Sequence, residues 1–256
     1  MKLVRSILIL SLIPFIGFSQ ESTEMKQING GTFVPLYGSN ESDVYVRDFM
    51  LDVYPVTNQQ YLDFVKEHPK WQRSAVIPLF ADKQYLVKWQ NDTVLGPVVL
   101  PEAAATHVSW FAAKDYCACQ GKRLPTMDEW EYAAMASETQ PNAQRDSIFN
   151  RKIIEGYELP KTYKNPIGST YKNYWGIYDM HGLVWEWTSD FNSVLISGES
   201  RQDVDTERNL FCGSAAVNAS NLMDYAAFMR YAFRGSIKAN YSIQTLGFRC
   251  AKSLNK

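Results

Sequence analysis

Four cysteines, three histidines and an acid-bearing aromatic loop are the residues in this 256-residue chain whose types and spacing could support chemistry. Cys117 and Cys119 are two apart, about 200° around a helix. They cannot grip one metal together while that helix holds. Four cysteines allow three full pairings, and spacing alone does not choose among them. Cys212 stands close to Ser214 and Tyr225, with Met223 and Met229 nearby. A free cysteine is most often a small buried hydrophobe. Two other readings stay open: a bond to Cys119, or a lone soft ligand for Cu(I) joined by Met223 or Met229. The two methionines are six apart, which is not one helical face, so core packing is their plainer role. Asp179 and Glu186 can supply carboxylates, and the carbonyls of Gly182 and Val184 can complete a hard oxygen cage for calcium. The alternative is that both acids cap backbone amides in the loop. His68, His107 and His181 are scattered and do not make a facial triad for iron. There is no glycine-rich phosphate loop and no Gly-x-Ser-x-Gly turn. No spacing pairs two carboxylates for acid–base work.

The elements that must position these residues are short. Residues 28–53 read as β-rich: a Gly30-Gly31 turn feeds Thr32-Phe33-Val34, and Val44 to Tyr54 alternates in places. Thr57 to Gln60 is a capping box, with Thr57 as N-cap and Gln60 three residues on. The helix that it opens carries Tyr61, Phe64 and Val65 on one side and ends before Pro69. Residues 70–105 have no sustained period, although Val98-Val99-Leu100 fits a short strand. A second helix fits Trp110 to Cys119, stopped by Gly121. Thr126 to Glu129 is another capping box, ahead of a helix through about Ala136. Residues 137–172 are polar and weakly patterned and read as loops. Tyr174, Trp175, Tyr178, Trp185, Trp187 and Phe191 crowd into 173–191, and 192–209 reads as a charged surface loop. Many short strands, few helices and long loops predict an α+β fold.

The N-terminus reads as a signal peptide over residues 1–19. Lys2 and Arg5 precede the apolar stretch Ile7 to Phe18, and Gly17 and Ser19 are the small residues before a cut at Gln20. That stretch falls short of the roughly 20 residues of a membrane span. No cysteine follows it to carry a lipid, and no later segment is long and apolar enough to span. A mature chain of about 237 residues fits one large domain, here 25–252. With 46% hydrophobic and 14% aromatic residues it can bury a substantial core. Taking Lys2 and Arg5 from the 26 basic residues leaves 24 against 27 acidic ones, a charge of about −3. That balance gives no case for nucleic acid or an anionic membrane surface.

Several segments, in order, resemble the formylglycine-generating-enzyme (sulfatase-modifying-factor) family. They are Gly30-Gly31-Thr32-Phe33; Tyr54-Pro55-Val56-Thr57-Asn58-Gln59-Gln60-Tyr61; His107-Val108-Ser109-Trp110; Gly121-Lys122-Arg123-Leu124-Pro125-Thr126; and Glu129-Trp130-Glu131-Tyr132. Gly176 through Trp187 follows, then Arg230, Arg234 and Gly247-Phe248-Arg249-Cys250-Ala251. These blocks cover nearly all of the chain beyond the signal peptide. The resemblance implies a modified C-type-lectin-like fold: short twisted sheets, two packed helices and much ordered loop. It also implies a disulfide between Cys117 and Cys250. Asp179, Gly182, Val184 and Glu186 match a family calcium site, so a structural calcium ion is expected.

The family's enzymes oxidise a cysteine of a sulfatase polypeptide with O₂ and a copper(I) ion held by two thiolates. Soft thiolates select Cu(I). Counting from Ser214 puts Val217 at the first copper position, and counting back from Arg234 puts Ala226 at the second. No cysteine lies between Cys212 and Cys250, so the copper pair is missing and copper is not expected. The resemblance is closest to exported accessory proteins of the periplasm. A groove between the Trp185 loop and the 212–234 segment, with Arg230 and Arg234, would then bind a protein or peptide partner in the cell envelope. The alternative is a metal-dependent oxidase of a protein or peptide, with Cys212, Ser214 and Tyr225 as the residues to test.

Overall fold

A computed structural model describes residues 23–35, 43–192 and 222–254. The candidates Cys212, Ser214 and Val217 lie outside the described residues.

Among the described residues, seven short strands make three small sheets. Strands β1 (Met25–Ile28), β4 (Phe49–Asp52) and β7 (Ala251–Ser253) form an antiparallel sheet in the order β1-β4-β7. Ile28 lies opposite Phe49, and Leu51 opposite Ala251. Ile28, Phe49, Leu51 and Ala251 are all buried, so the pairing puts one apolar face on the core. β2 (Gly31–Phe33) pairs with β3 (Val44–Val46). β5 (Trp185–Glu186) and β6 (Leu246–Gly247) pair in parallel and bring the aromatic loop beside the chain end.

Helix α1 (Asn58–Glu67) starts where the capping box places it. The Thr57 side chain accepts from the Gln60 N–H, and the Gln60 side chain accepts from the Thr57 N–H. α2 (Trp110–Cys119) has Ser109 as its N-cap, and the chain leaves it through Gly121 at φ +66°, a left-handed turn that a Cβ would strain. α3 (Met127–Ala134) carries the second capping box, Thr126 with Glu129, and stops two residues before Ala136. Asp190 accepts from the Met127 N–H and completes that helix start.

Two expectations need correction. Residues 137–172 are not all loop: α4 spans Ser147–Glu158. Asp146 caps it, and Phe149, Ile153 and Tyr157 recur every fourth residue along one side. That side packs on α5 (Leu222–Ser236) through Ala226, so tertiary contact stabilises a helix whose outer face is polar. Val98-Val99-Leu100 is not a strand, because the Val99 N–H closes a tight turn onto the Gly96 carbonyl. The α-helices number five among the described residues.

The core has two main parts. One gathers Tyr61, Phe64 and Val65 of α1, Tyr116 of α2, Trp187 and Phe248. The other lies against β1 and β4 and includes Trp130, Ala133 and Ile177. Cys117 and Cys250 are joined, Cα to Cα 5.6 Å, tying α2 to the last strand across 133 residues. A bond of this kind contributes about 2–4 kcal/mol. Among the described residues, no helix is long and apolar enough to cross a membrane.

Candidate functional site

α5 carries Arg230 and Arg234 four residues apart, so both guanidiniums leave one helix face. They turn inward, onto one carboxylate of α3. Arg230 Nε donates to Glu131 Oε1 and Oε2 at 3.0 and 2.9 Å, and its Nη2 donates to Oε2 at 2.7 Å. Arg234 Nη1 donates to Oε1 at 2.6 Å. All three side chains are buried. Burial alone pushes the Glu131 carboxyl up, but the two guanidiniums outweigh it and hold it at about 2. Arg234 also lies 4.7 Å over the Trp130 ring, a cation–π contact.

The network continues through α4. Arg230 Nη1 donates to Tyr157 Oη at 3.4 Å, and Tyr157 Oη lies 3.0 Å from His181 Nδ1. His181 Nε2 is 2.9 Å from the Ala134 carbonyl. A carbonyl only accepts, so Nε2 holds the proton and Tyr157 donates to Nδ1. Burial and then Arg230 push the His181 imidazole down to about 3. It is therefore a neutral packing residue, not a base poised near neutrality.

A parallel lock sits under the aromatic loop. Arg249, fully buried, donates to both oxygens of Glu186 at 2.8–3.0 Å and to the carbonyls of Asp52, Val53 and Tyr178. Trp130 Nε1 donates to Glu186 Oε2 at 2.7 Å. Asp179, at φ +60°, accepts from the Gly168 N–H and from the Thr170 N–H and hydroxyl.

These contacts bear on the expected calcium cage. Glu186 is taken on both oxygens by a guanidinium, and Asp179 by three donors of the 168–170 turn. The carboxylates serve two separate hydrogen-bond sets, so with Gly182 and Val184 they do not fit one hard-cation cage. Among the described residues, no three His, Cys, Asp or Glu side chains could hold a metal. The acids act as backbone and guanidinium anchors. Gly182 itself, at φ +85°, shapes the loop.

Of the expected groove residues, Trp185 is half-buried and stacked on Phe233 of α5, with ring centroids 4.7 Å apart. Tyr157 also packs against it, tilted, with ring centroids 4.8 Å apart. Arg230 and Arg234 do not line an open groove, because Glu131 holds them inside. Tyr225 is exposed on α5. Ala226, counted to the second copper position, is fully buried against Phe149 and Ile153. Cys117 and Cys250 are bonded, and Cys119 is a free, exposed thiol at the end of α2. Sequence reasoning missed Glu131 and Tyr157. The signal for Glu131 was an acid beside Trp130 in an otherwise apolar stretch of α3, with two arginines one turn apart awaiting a counter-charge.

Short mixed sheets, flanking helices and an aromatic loop pinned by buried arginines define a formylglycine-generating-enzyme-like, C-type-lectin-like fold. The structure of PvdO from Pseudomonas aeruginosa shares it, with a TM-score of 0.50 at 19% identity over 91% of this chain and 95% of that one. A profile of the sulfatase-modifying factor enzyme 1-like domain matches residues 17–254, so the chain belongs to that family. It is 26% identical to the inactive C-alpha-formylglycine-generating enzyme 2 of Mus musculus, over 94% of this chain and 89% of that protein. It is 28% identical to the formylglycine-generating enzyme of Bos taurus, over 81% and 66% respectively. A serine/threonine-protein kinase pkn1 of Chlamydia caviae is 28% identical over 91% of this chain, which spans only 38% of the kinase's length.

Proposed function

We propose that this protein is an exported, non-catalytic member of its family that binds a protein or peptide partner in the cell envelope as an accessory or maturation factor. One observation carries the reading. The position counted to the second copper thiolate is Ala226, an alanine buried among Phe149, Ile153 and Ala143. Cys212 is the only cysteine between Cys119 and Cys250, so this segment cannot supply the pair of thiolates. The similarity to a relative described as inactive supports the same reading. The half-buried stack of Tyr157, Trp185 and Phe233, with exposed Tyr225 on the same helix as Phe233, offers the aromatic contact area that binding surfaces favour. Arg230 and Arg234 contribute by holding that helix in place, not by touching the partner.

The test is a peptide-oxidation assay. Purified protein is supplied with Cu(I) and O₂ and incubated with a sulfatase-type cysteine peptide, and aldehyde is read by mass. No aldehyde is expected, and copper should not co-purify in stoichiometric amount. Aldehyde formation, or bound copper lost on Cys212→Ala, would overturn the reading in favour of an oxidase using Cys212, Ser214 and Tyr225.

A further inference from the structure

Outside the arginine clusters, two chemistry-bearing side chains meet at the surface. Cys119 ends α2 and His68 caps the end of α1. Cys119 Sγ lies 3.4 Å from His68 Nε2. His68 Nδ1 lies 3.0 Å from the Phe64 carbonyl, and its ring stacks on Phe64 with centroids 4.6 Å apart. The carbonyl can only accept, so Nδ1 carries the proton and Nε2 presents its lone pair to the thiol. The backbone thus fixes the tautomer that makes His68 a base toward Cys119.

The thiol is exposed and unbonded, while its neighbour Cys117 points inward to Cys250. Opposite helix faces keep the two apart. Asp115, one turn back on α2, is held by Lys70 Nζ at 2.9 Å and Trp71 Nε1 at 2.6 Å. Asp115, Glu67 and Lys70 are the charged groups that act on the thiol besides His68. Burial, then Asp115, raises the Cys119 thiol above its ordinary value. At neutral pH it is therefore protonated, and a base is needed to make it a nucleophile. The thiol is open to solvent, and a recess of about 400 Å³ lined by Trp71, Ile77, Phe80, Phe111, Lys114 and Ala118 lies on the neighbouring surface of α2.

We infer that Cys119 and His68 form a thiol–disulfide exchange site, independent of the partner-binding reading above. The substrate class is a disulfide, R–S–S–R′. Cys119 Sγ attacks one sulfur as its proton passes to His68 Nε2. The Cys119–S–S–R bond forms and the S–S bond of the substrate breaks. The electron pair leaves on R′–S⁻, which takes the proton back from the imidazolium. Cys119 is oxidised to the mixed disulfide and R′ is released as the reduced thiol. The product is the protein covalently tethered to R.

The full-length protein is treated with dithiodipyridine, with glutathione disulfide and with a disulfide-bridged apolar peptide. Thiol release and the mass of the Cys119 peptide are followed across pH, with Cys119→Ser as the blank. His68→Gln should slow the Cys119 reaction near neutral pH by about a hundredfold, the lower range of general-base effects. The two rates should converge at alkaline pH, where the thiolate forms unaided. Circular dichroism and Tm of His68→Gln establish that α1 still folds. A preference for the peptide would assign the apolar recess to polypeptide disulfides, and a preference for glutathione disulfide to small ones; both support exchange. Equal rates for wild type and His68→Gln at every pH, or no adduct at Cys119 with any reagent, would overturn it.

Discussion

Glu131 on α3 and Cys119 on α2 stand on successive helices, and their surroundings differ in kind. Glu131 is buried and both of its oxygens are taken by guanidiniums. Cys119 is exposed and has one weak partner, a histidine nitrogen. A saturated buried charge is committed to structure, because moving any donor leaves another unpaired at high cost. An open thiol beside a base has no such commitment. The difference shows why conspicuous residues are a poor guide to a working site. Arg230 and Arg234 look like a partner-binding pair in the sequence, yet they belong to the frame.

The comparison breaks first at Glu131. Glu131→Ala leaves two guanidiniums buried without a counter-charge and should cost about 3–5 kcal/mol in chemical denaturation. Cys119→Ser should move the same midpoint by no more than about 0.5 kcal/mol, as an exposed substitution does. Comparable losses for both would erase the distinction between frame and open site.

Acid sharpens the contrast next. Glu131 titrates lower in the folded chain, near 2, than its ordinary value of about 4.3. Its contribution is whole above about pH 4.3 and is lost as pH falls through 2. His181 is held neutral, near 3, against an ordinary value of about 6.5. The unfolded chain binds that proton first, so stability declines as pH falls from about 6.5 toward 3. The denaturation midpoint should therefore fall in two overlapping stages. His181→Gln should flatten the upper one, and a midpoint already flat from about pH 6.5 to 5 in the wild type would refute the assignment.

Much of the frame was legible because its signals are local. Both capping boxes, the limits of α2 and its glycine stop are each written within four residues. The Cys117–Cys250 bond came with the family resemblance and stands. What failed was non-local. The hydrophobic side of α4 is only every fourth residue in a polar stretch, and it becomes a helix by packing on α5. The inward turn of Arg230 and Arg234 depends on Glu131, about a hundred residues earlier. The surroundings of the expected calcium residues are non-local in the same way: carboxylate types and spacing match a cage, while Arg249 and Trp130 hold one acid and the 168–170 turn holds the other.

A smaller effect than the loss of Glu131 tests whether the two ends of α1 are separable. Thr57 at the start and His68 at the end each satisfy backbone groups of the helix. Thr57→Ala removes the hydroxyl that accepts from the Gln60 N–H and loosens the reciprocal Gln60 contact. Capping losses of this kind cost about 1 kcal/mol. The last turn is pinned independently, by the stacking of His68 on Phe64 and the packing of Phe64 on Tyr116. Thr57→Ala should therefore lower the denaturation midpoint while leaving the Cys119 exchange rate within about twofold, because His68 keeps its tautomer and its distance. If exchange slows in proportion to the lost stability, the Cys119–His68 geometry depends on the whole of α1, and the open site is not separable from the frame that carries it.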